Sequence, residues 1–310
     1  MYFMDDRKEQ LLITEVERAS FHDGPGIRTT VFMAGCHLHC PWCCNPETQQ
    51  PTRMLMHYVD RCIGCGNCVS VCPVGAAVMQ NKKPVFNQKK CNFCGECVNL
   101  CPVEALSLSG KYMTVEEIME EVLRDRAYYE ATGGGITLSG GEPFFQAKGA
   151  LCLLTLSKQN GLHTAVETTA FVDTEILKKA LPLVDLFMID IKHADAASLK
   201  TVTGADLNTI CRNVDMLVSL GADVLLRTPV IPDFNNSPDM IRSIFELDLK
   251  LGVNHAVLLP YHSLAKAKYK KLSIPYQLGD LAMLSNADLE PLAEIGRRMG
   301  LKVTIGDDEA

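Results

Sequence analysis

Seven short apolar runs punctuate the chain: Thr29–Met33, Gly135–Leu138, His163–Val166, Leu186–Ile189, Val224–Leu226, Ala256–Leu259 and Lys302–Ile305. They are rich in β-branched residues and too short for buried helices, so each predicts a strand. The segments between them carry helical spacing, and one helix start can be placed at Thr114, whose capping box is completed by Glu117. Strands that alternate with helices predict a parallel sheet, hence an α/β fold class. The unusual polar residues fall just past the strands, at the C-terminal face where sites form in barrels of this construction. Between Cys36 and Cys101 the alternation gives way to a cysteine-dense stretch, an insertion after the first of the seven runs.

Composition narrows the class. With 310 residues, 47% hydrophobic and 22% charged, the chain is expected to be a soluble protein with its own core. A net charge of -7 and a pI near 5.6 argue against a nucleic-acid or anionic-membrane surface, and no apolar run reaches the length of a transmembrane helix. Fourteen cysteines would suit a secreted disulfide scaffold, but MYFMDDRKEQ is too charged for a signal peptide and no apolar segment follows it. The expected location is therefore the reducing cytoplasm.

Twelve of the fourteen cysteines lie between Cys36 and Cys101, leaving Cys152 and Cys211 as simple buried apolar residues. Two runs, Cys62, Cys65, Cys68, Cys72 with Pro73, and Cys91, Cys94, Cys97, Cys101 with Pro102, each read C-x2-C-x2-C-x3-C-P. This is the bacterial ferredoxin spacing, in which a loop wraps a 4Fe-4S cube with three thiolates and the fourth cysteine serves the other cube. One cluster is therefore expected on Cys62, Cys65, Cys68 and Cys101, the other on Cys91, Cys94, Cys97 and Cys72. Paired zinc sites would leave the third and fourth cysteines of each run unexplained. A doubled cube module would conduct electrons.

A third set, Cys36, Cys40 and Cys43, offers only three thiolates in C-x3-C-x2-C. A cube needs four ligands, so one iron stays open to a ligand that is not protein. Cys44 directly follows Cys43 and is unsuited to the same metal. The plainer alternative is a structural cluster, or a zinc ion completed by His37 or His39.

With Trp42 before its last cysteine, this triplet resembles the signature of radical S-adenosylmethionine enzymes. HDGPGIRTTVFMAGC, CNPE, GGGITLSGGEP, IDIKH and LLPYHSLAKAKY resemble motifs of the glycyl-radical-enzyme activating enzymes, relatives of pyruvate formate-lyase activase, across almost the whole chain. The resemblance implies a partial (β/α) barrel divided by a ferredoxin-like insertion: residues 1–51 and 111–310 form the barrel and 52–110 the insertion. It implies three 4Fe-4S clusters, the open one chelating S-adenosylmethionine. Trp42 and Cys44 would lie with the cofactor-binding residues. Gly140, Gly141 and Glu142 would receive its ammonium, Lys192 its carboxylate, and His262 its ribose or adenine, with Arg227 at an equivalent strand end. Asp190 would help to hold a monovalent cation with Glu167, Thr168 and the Met188 carbonyl, although Ala170 replaces a glycine usual in relatives. Asp23 and Arg28 are candidates to touch the partner's glycine-bearing loop.

Taken alone, several of these residues have plainer readings: a strand-to-helix turn for Gly140–Gly141, a surface ion pair for Asp190–Lys192, and turn chemistry for Asp23. The implied activity is reductive cleavage of S-adenosylmethionine to a 5'-deoxyadenosyl radical, which takes hydrogen from a backbone glycine of a glycyl radical enzyme. A low-potential flavodoxin or ferredoxin would supply the electron. The alternatives are a radical peptide or sulfatase maturase, whose auxiliary clusters generally follow the barrel, and a polyferredoxin carrier, which has no need of the barrel.

Overall fold

In the computed structural model, which describes residues 7–306, the apolar runs pair side by side in the order in which they occur along the chain. The strands are β1 (Gln10–Ser20), β2 (Arg28–Met33), β3 (Leu55–His57), β4 (Ala77–Gln80), β5 (Lys83–Phe86), β6 (Leu106–Leu108), β7 (Lys111–Thr114), β8 (Gly135–Gly140), β9 (His163–Thr168), β10 (Leu186–Asp190), β11 (Val224–Val230), β12 (His255–Pro260) and β13 (Lys302–Ile305). The main sheet has nine strands, ordered β13-β12-β11-β10-β9-β8-β2-β1-β7. From β2 to β13 all neighbours are parallel. Each new strand joins the same edge after a crossover, so the sheet is wound in one direction as a partial (β/α) barrel. All seven expected strands are present. The capping box is also formed: Glu117 N donates to Thr114 Oγ1 at 3.2 Å, and Thr114 N to Glu117 Oε2 at 2.7 Å.

One expectation is corrected: the insertion follows the second strand of the chain. β1 precedes β2, pairs with it antiparallel, and is flanked on its other edge by β7. Its pattern QLLITEVERAS begins with an apolar triplet and then turns mostly polar, because only its first half is covered. The leader MYFMDDRKEQ lies, for its first six positions, outside the described residues. Among the described residues no helix is long and apolar enough to cross a membrane.

Alternation along the parallel strands places the site. Phe187, Ile189, Val166, Leu226 and Leu258 face the helices in the large core, together with buried Cys152; Cys211 packs against its edge. Leu186, Met188, Ala165, Leu225 and Val257 form a smaller cluster on the opposite face. Successive side chains on a strand point to opposite faces. Continuing that inner row toward the strand ends reaches Glu167, Asp190 and Arg227, with Ser139 at the corresponding place on β8. Between β2 and β7 the chain forms two small antiparallel sheets, β3-β6 and β4-β5, around Leu55, Cys68, Ala77, Phe86 and Leu106. It enters and leaves this unit through one rung, Ser109 N donating to Met54 O at 2.8 Å.

The helix Pro238–Lys250 carries Asp248, 1% exposed, whose carboxyl finds no hydrogen-bond partner among the described residues. Burial pushes its pKa up to about 8. The folded chain therefore holds a proton that the unfolded chain gives up near its ordinary value of 3.8. Its contribution is complete below that ordinary value and is lost as pH rises to about 8. Thermal unfolding at pH 6 and pH 8.5 should show Asp248→Asn gaining on the wild type at the higher pH, by about 2–4 °C per kcal/mol recovered. An equal offset at both pH values would refute the buried titration.

Candidate active site

β2 ends at Met33, and the next residues fold back as a tight loop at the C-terminal edge of the sheet. Gly35 N donates to Thr48 O at 2.7 Å, Cys36 N to Gln49 O at 3.3 Å, and Gln49 Nε2 to Cys40 O at 3.4 Å. From below, Gln146 Nε2 donates to Ala34 O at 3.0 Å. Cys40 is buried and Cys36 and Cys43 are half-buried. Burial pushes all three thiols up, Cys36 to about 12. As thiolates they call for compensating positive charge, which iron supplies. Leu38 N donates to Cys36 Sγ at 3.4 Å, and the positive charge of Lys192 bears on both Cys36 and Cys40.

The histidines that could complete a zinc site are turned elsewhere. His37 stacks against Phe145 at 4.8 Å, and His39 packs over Gly204. Cys44 Sγ lies 3.7 Å from His262 Nε2. Among the described residues no three His, Cys, Asp or Glu side chains are placed to hold a single metal ion.

The two glycines of SGGEP have a packing role. Gly140, at φ 106°, would bring a Cβ to 2.5 Å from Met33 N, and Gly141 would bring one to 2.4 Å from Gly35 O and 2.8 Å from Thr48 O. They are small so that the triplet loop can lie directly on β8. Glu142 is likewise engaged within the fold. Its side chain is fully buried and receives Thr168 Oγ1 (2.9 Å), Thr169 N (2.9 Å), Thr169 Oγ1 (2.7 Å) and Phe144 N (3.2 Å). The carboxylate ties the end of β8 to the end of β9 and has no lone pair left for an ammonium.

Along the inner row, Lys192 Nζ donates to Asp190 Oδ2 at 2.7 Å, and Arg227 Nε to Asp190 Oδ1 at 3.2 Å. Arg227 also binds Glu167, which accepts from Ser139 Oγ as well. Burial acts on Asp190 to raise its pKa, but Lys192 and Arg227 outweigh it and hold the carboxyl below its ordinary range. Burial leaves Glu167 raised despite Arg227. Two cations thus neutralise the two acids proposed for a monovalent cation. Of the remaining candidates, the Thr168 hydroxyl is committed to Glu142, and Met188 lies mid-sheet between Glu167 and Leu225. Lys192, Asp190, Arg227 and Glu167 thus form an internal ion-pair chain. Ala170 keeps the backbone of the glycine it replaces, at φ 51°, with its carbonyl receiving Asn213 Nδ2 at 2.9 Å. A left-handed alanine costs about 1–2 kcal/mol.

Beside the triplet opens a cavity of about 330 Å³ lined by Trp42, Cys44, Pro229, Tyr261, His262 and Asn286, among others. Trp42 is buried and packs against Phe234 at 4.9 Å. The lining comes from the ends of β11 and β12 and the segments beyond them. Its size suits a nucleoside.

Arg28 is buried, and Asp23 is engaged within its own turn. Arg28 is 0% exposed and spends its guanidinium on Thr137 Oγ1 (2.6 Å), Ile136 O (2.7 Å) and Pro25 O (2.8 Å), at the start of β2, opposite the triplet end. Burial lowers its pKa to about 10. Asp23 Oδ2 accepts Ser20 Oγ at 2.6 Å and Thr30 Oγ1 at 2.5 Å, closing its own turn.

In the insertion, one cavity is walled by Cys62, Cys65, Cys68 and Cys101, and another by Cys72, Cys91, Cys94 and Cys97. Each set draws three cysteines from one run and the last from the other. Ala105 N donates to Cys101 Sγ at 3.2 Å and Ala76 N to Cys72 Sγ at 3.1 Å, as main chain does around sulfur ligands. Each set supplies the four thiolates that a cube takes.

The sequence reading overlooked a clamp on the triplet loop. Lys268, in the helix Lys266–Leu272, donates to Asn45 Oδ1 at 2.7 Å and Glu47 Oε1 at 2.5 Å. At the end of that helix, Leu272 O accepts Gln88 Nε2 from the insertion at 2.9 Å. CNPE and LLPYHSLAKAKY both carry this pairing, but nothing in a single sequence joins positions so far apart.

A family described as "4Fe-4S single cluster domain" matches residues 22–210. Benzylsuccinate synthase activating enzyme of Thauera aromatica is 39% identical over 95% of this chain and 92% of its own. Choline trimethylamine-lyase activating enzyme of Oleidesulfovibrio alaskensis is 36% identical over 96% and 98%. Trans-4-hydroxy-L-proline dehydratase activating enzyme of Clostridioides difficile is 35% identical over 95% and 99%.

Proposed function

Because the chain belongs to the glycyl-radical-enzyme activating enzymes of the radical S-adenosylmethionine class, we propose that the triplet loop and its neighbouring cavity bind S-adenosylmethionine and that the insertion feeds them electrons. The protein is an oxidoreductase that activates a glycyl radical enzyme. The bound clusters and S-adenosylmethionine supply reductive cleavage to a 5'-deoxyadenosyl radical, which takes hydrogen from a backbone glycine of the partner. The observation that carries the reading is the convergence of one buried and two half-buried cysteines, a charge-paired Lys192 and a neighbouring cavity at one end of the barrel.

Each residue has a part. Cys36, Cys40 and Cys43 hold the open cube. Lys192 receives the cofactor carboxylate, and Asp190, itself gripped by Arg227, fixes the ammonium of Lys192 in place. Trp42 and His262 bound the adenosyl part, and burial around the triplet keeps water from the radical. Residues 52–110 act as a ferredoxin-like unit with two further cubes. Cys65 and Cys94, exposed in opposite halves, mark where a flavodoxin- or ferredoxin-like donor approaches.

Two measurements test this. Anaerobic reconstitution should load about twelve irons per chain, four for each cube; a stable content of about four, or stoichiometric zinc, would refute the insertion's role. Incubation with S-adenosylmethionine, a reductant and the cognate glycyl radical enzyme should produce a backbone-centred radical visible by electron paramagnetic resonance. A modified small peptide with no such signal would instead favour a maturase.

A further inference from the structure

The insertion is a repeat, and its two halves differ at one buried polar position. The second cysteine run follows the first at a fixed interval, so that Cys62 matches Cys91 and Cys72 matches Cys101. Main-chain donors match as well: Ala76 N to Cys72 Sγ in one half and Ala105 N to Cys101 Sγ in the other. Stepping forward from His57 by the same interval lands on Phe86. The two rings meet edge to face, 5.1 Å apart at 72°.

His57 is 5% exposed and lines the cavity of Cys62, Cys65, Cys68 and Cys101, and its Nε2 is sealed from solvent with no partner among the described residues. A buried ring nitrogen without a partner is destabilising unless something in the cavity accepts its hydrogen. Phe86 offers no such group to the other half. Hydrogen bonds to cluster sulfur are one of the means by which a protein sets a cube's potential, since they stabilise the more negative, reduced state.

We propose that His57 donates Nε2–H to the sulfur shell of the cube held by Cys62, Cys65, Cys68 and Cys101, raising its reduction potential above that of the cube held by Cys91, Cys94, Cys97 and Cys72. The inference rests on the reading that both cavities hold cubes. It makes the relay directional in its resting state: the electron settles on the His57 side, and the other cube is the stronger reductant.

The test uses the reconstituted full chain in a Cys40→Ala background, which removes the open cluster's signal. Potentiometric titration followed by electron paramagnetic resonance should resolve two waves. His57→Phe, which copies the other half, should move the higher wave to more negative potential by about 59 mV, a tenfold change in its reduced fraction at fixed potential, and leave the lower wave in place. His57→Gln, which keeps an N–H donor at similar reach, should stay close to the wild type. Full iron content with both waves unmoved in His57→Phe would overturn this inference alone, as would an equal displacement in His57→Gln. A parent protein lacking the insertion's irons would overturn this inference and the cluster reading together.

Discussion

Cys40→Ala should abolish both deoxyadenosine formation and partner activation whatever reductant is supplied, while Cys94→Ala should retain cleavage with a strong diffusible reductant and fail mainly with a protein donor. Cys40 is the most buried of the triplet, and its loss leaves two thiols that cannot retain a cube with an open iron. Cys94 is exposed and belongs to a closed set of four, remote in sequence from the triplet loop. A small reductant that reaches the open cluster directly bypasses the damaged cube; a docked protein does not. Loss of a cube can also unfold a small cysteine-rich unit, so iron content and circular dichroism accompany the assay. If a folded Cys94→Ala protein with its open cluster intact is as inactive as Cys40→Ala even with the chemical reductant, the relay assignment is wrong.

Gly141→Ala should be nearly as damaging, for a reason of packing. The added methyl meets main-chain oxygens of Gly35 and Thr48 at 2.4 and 2.8 Å, and neither can swing aside as a side chain would. Gly35 O already accepts Glu142 N at 2.8 Å, so displacing it breaks the contact that seats the loop. Overpacking of this kind costs about 1–3 kcal/mol, and here the cost falls on the cysteine loop. The expected protein is folded, short of about four irons, with both cubes of the insertion present. S-adenosylmethionine cleavage should fall by at least about 100-fold, which corresponds to a misplacement on the order of 1 Å. Wild-type iron and turnover in Gly141→Ala would show that the loop does not need this close approach.

The sequence made the strands legible because each parallel strand is covered on both faces and so forms an unbroken apolar run. β1 broke that rule, being covered over only its first half, and was missed. The cysteine runs were legible because spacing alone dictates which thiols share a loop. Arg28 misled for a physical reason: a guanidinium beside a Gly-Pro-Gly turn suggests surface, yet main-chain carbonyls and Thr137 satisfy it inside the barrel. Glu142 and Glu167 were seen as carboxylates but not as spoken for, since Thr169, Ser139 and Arg227 lie on other strands or turns. Lys268 and His57 were invisible for the same reason. Their meaning comes from what they face across the fold.

The single rung between Met54 and Ser109 has a consequence for how such proteins diversify. Since the chain departs and returns at adjacent points, everything between can be excised and replaced by a short turn with little entropic cost of closure. The barrel, its cysteine loop and the Lys268 clamp require nothing from the excised piece to keep their own hydrogen bonds, apart from the contact of Gln88 with Leu272. A unit mounted this way can be exchanged while the main-chain hydrogen bonds that seat the cysteine loop on the sheet stay in place.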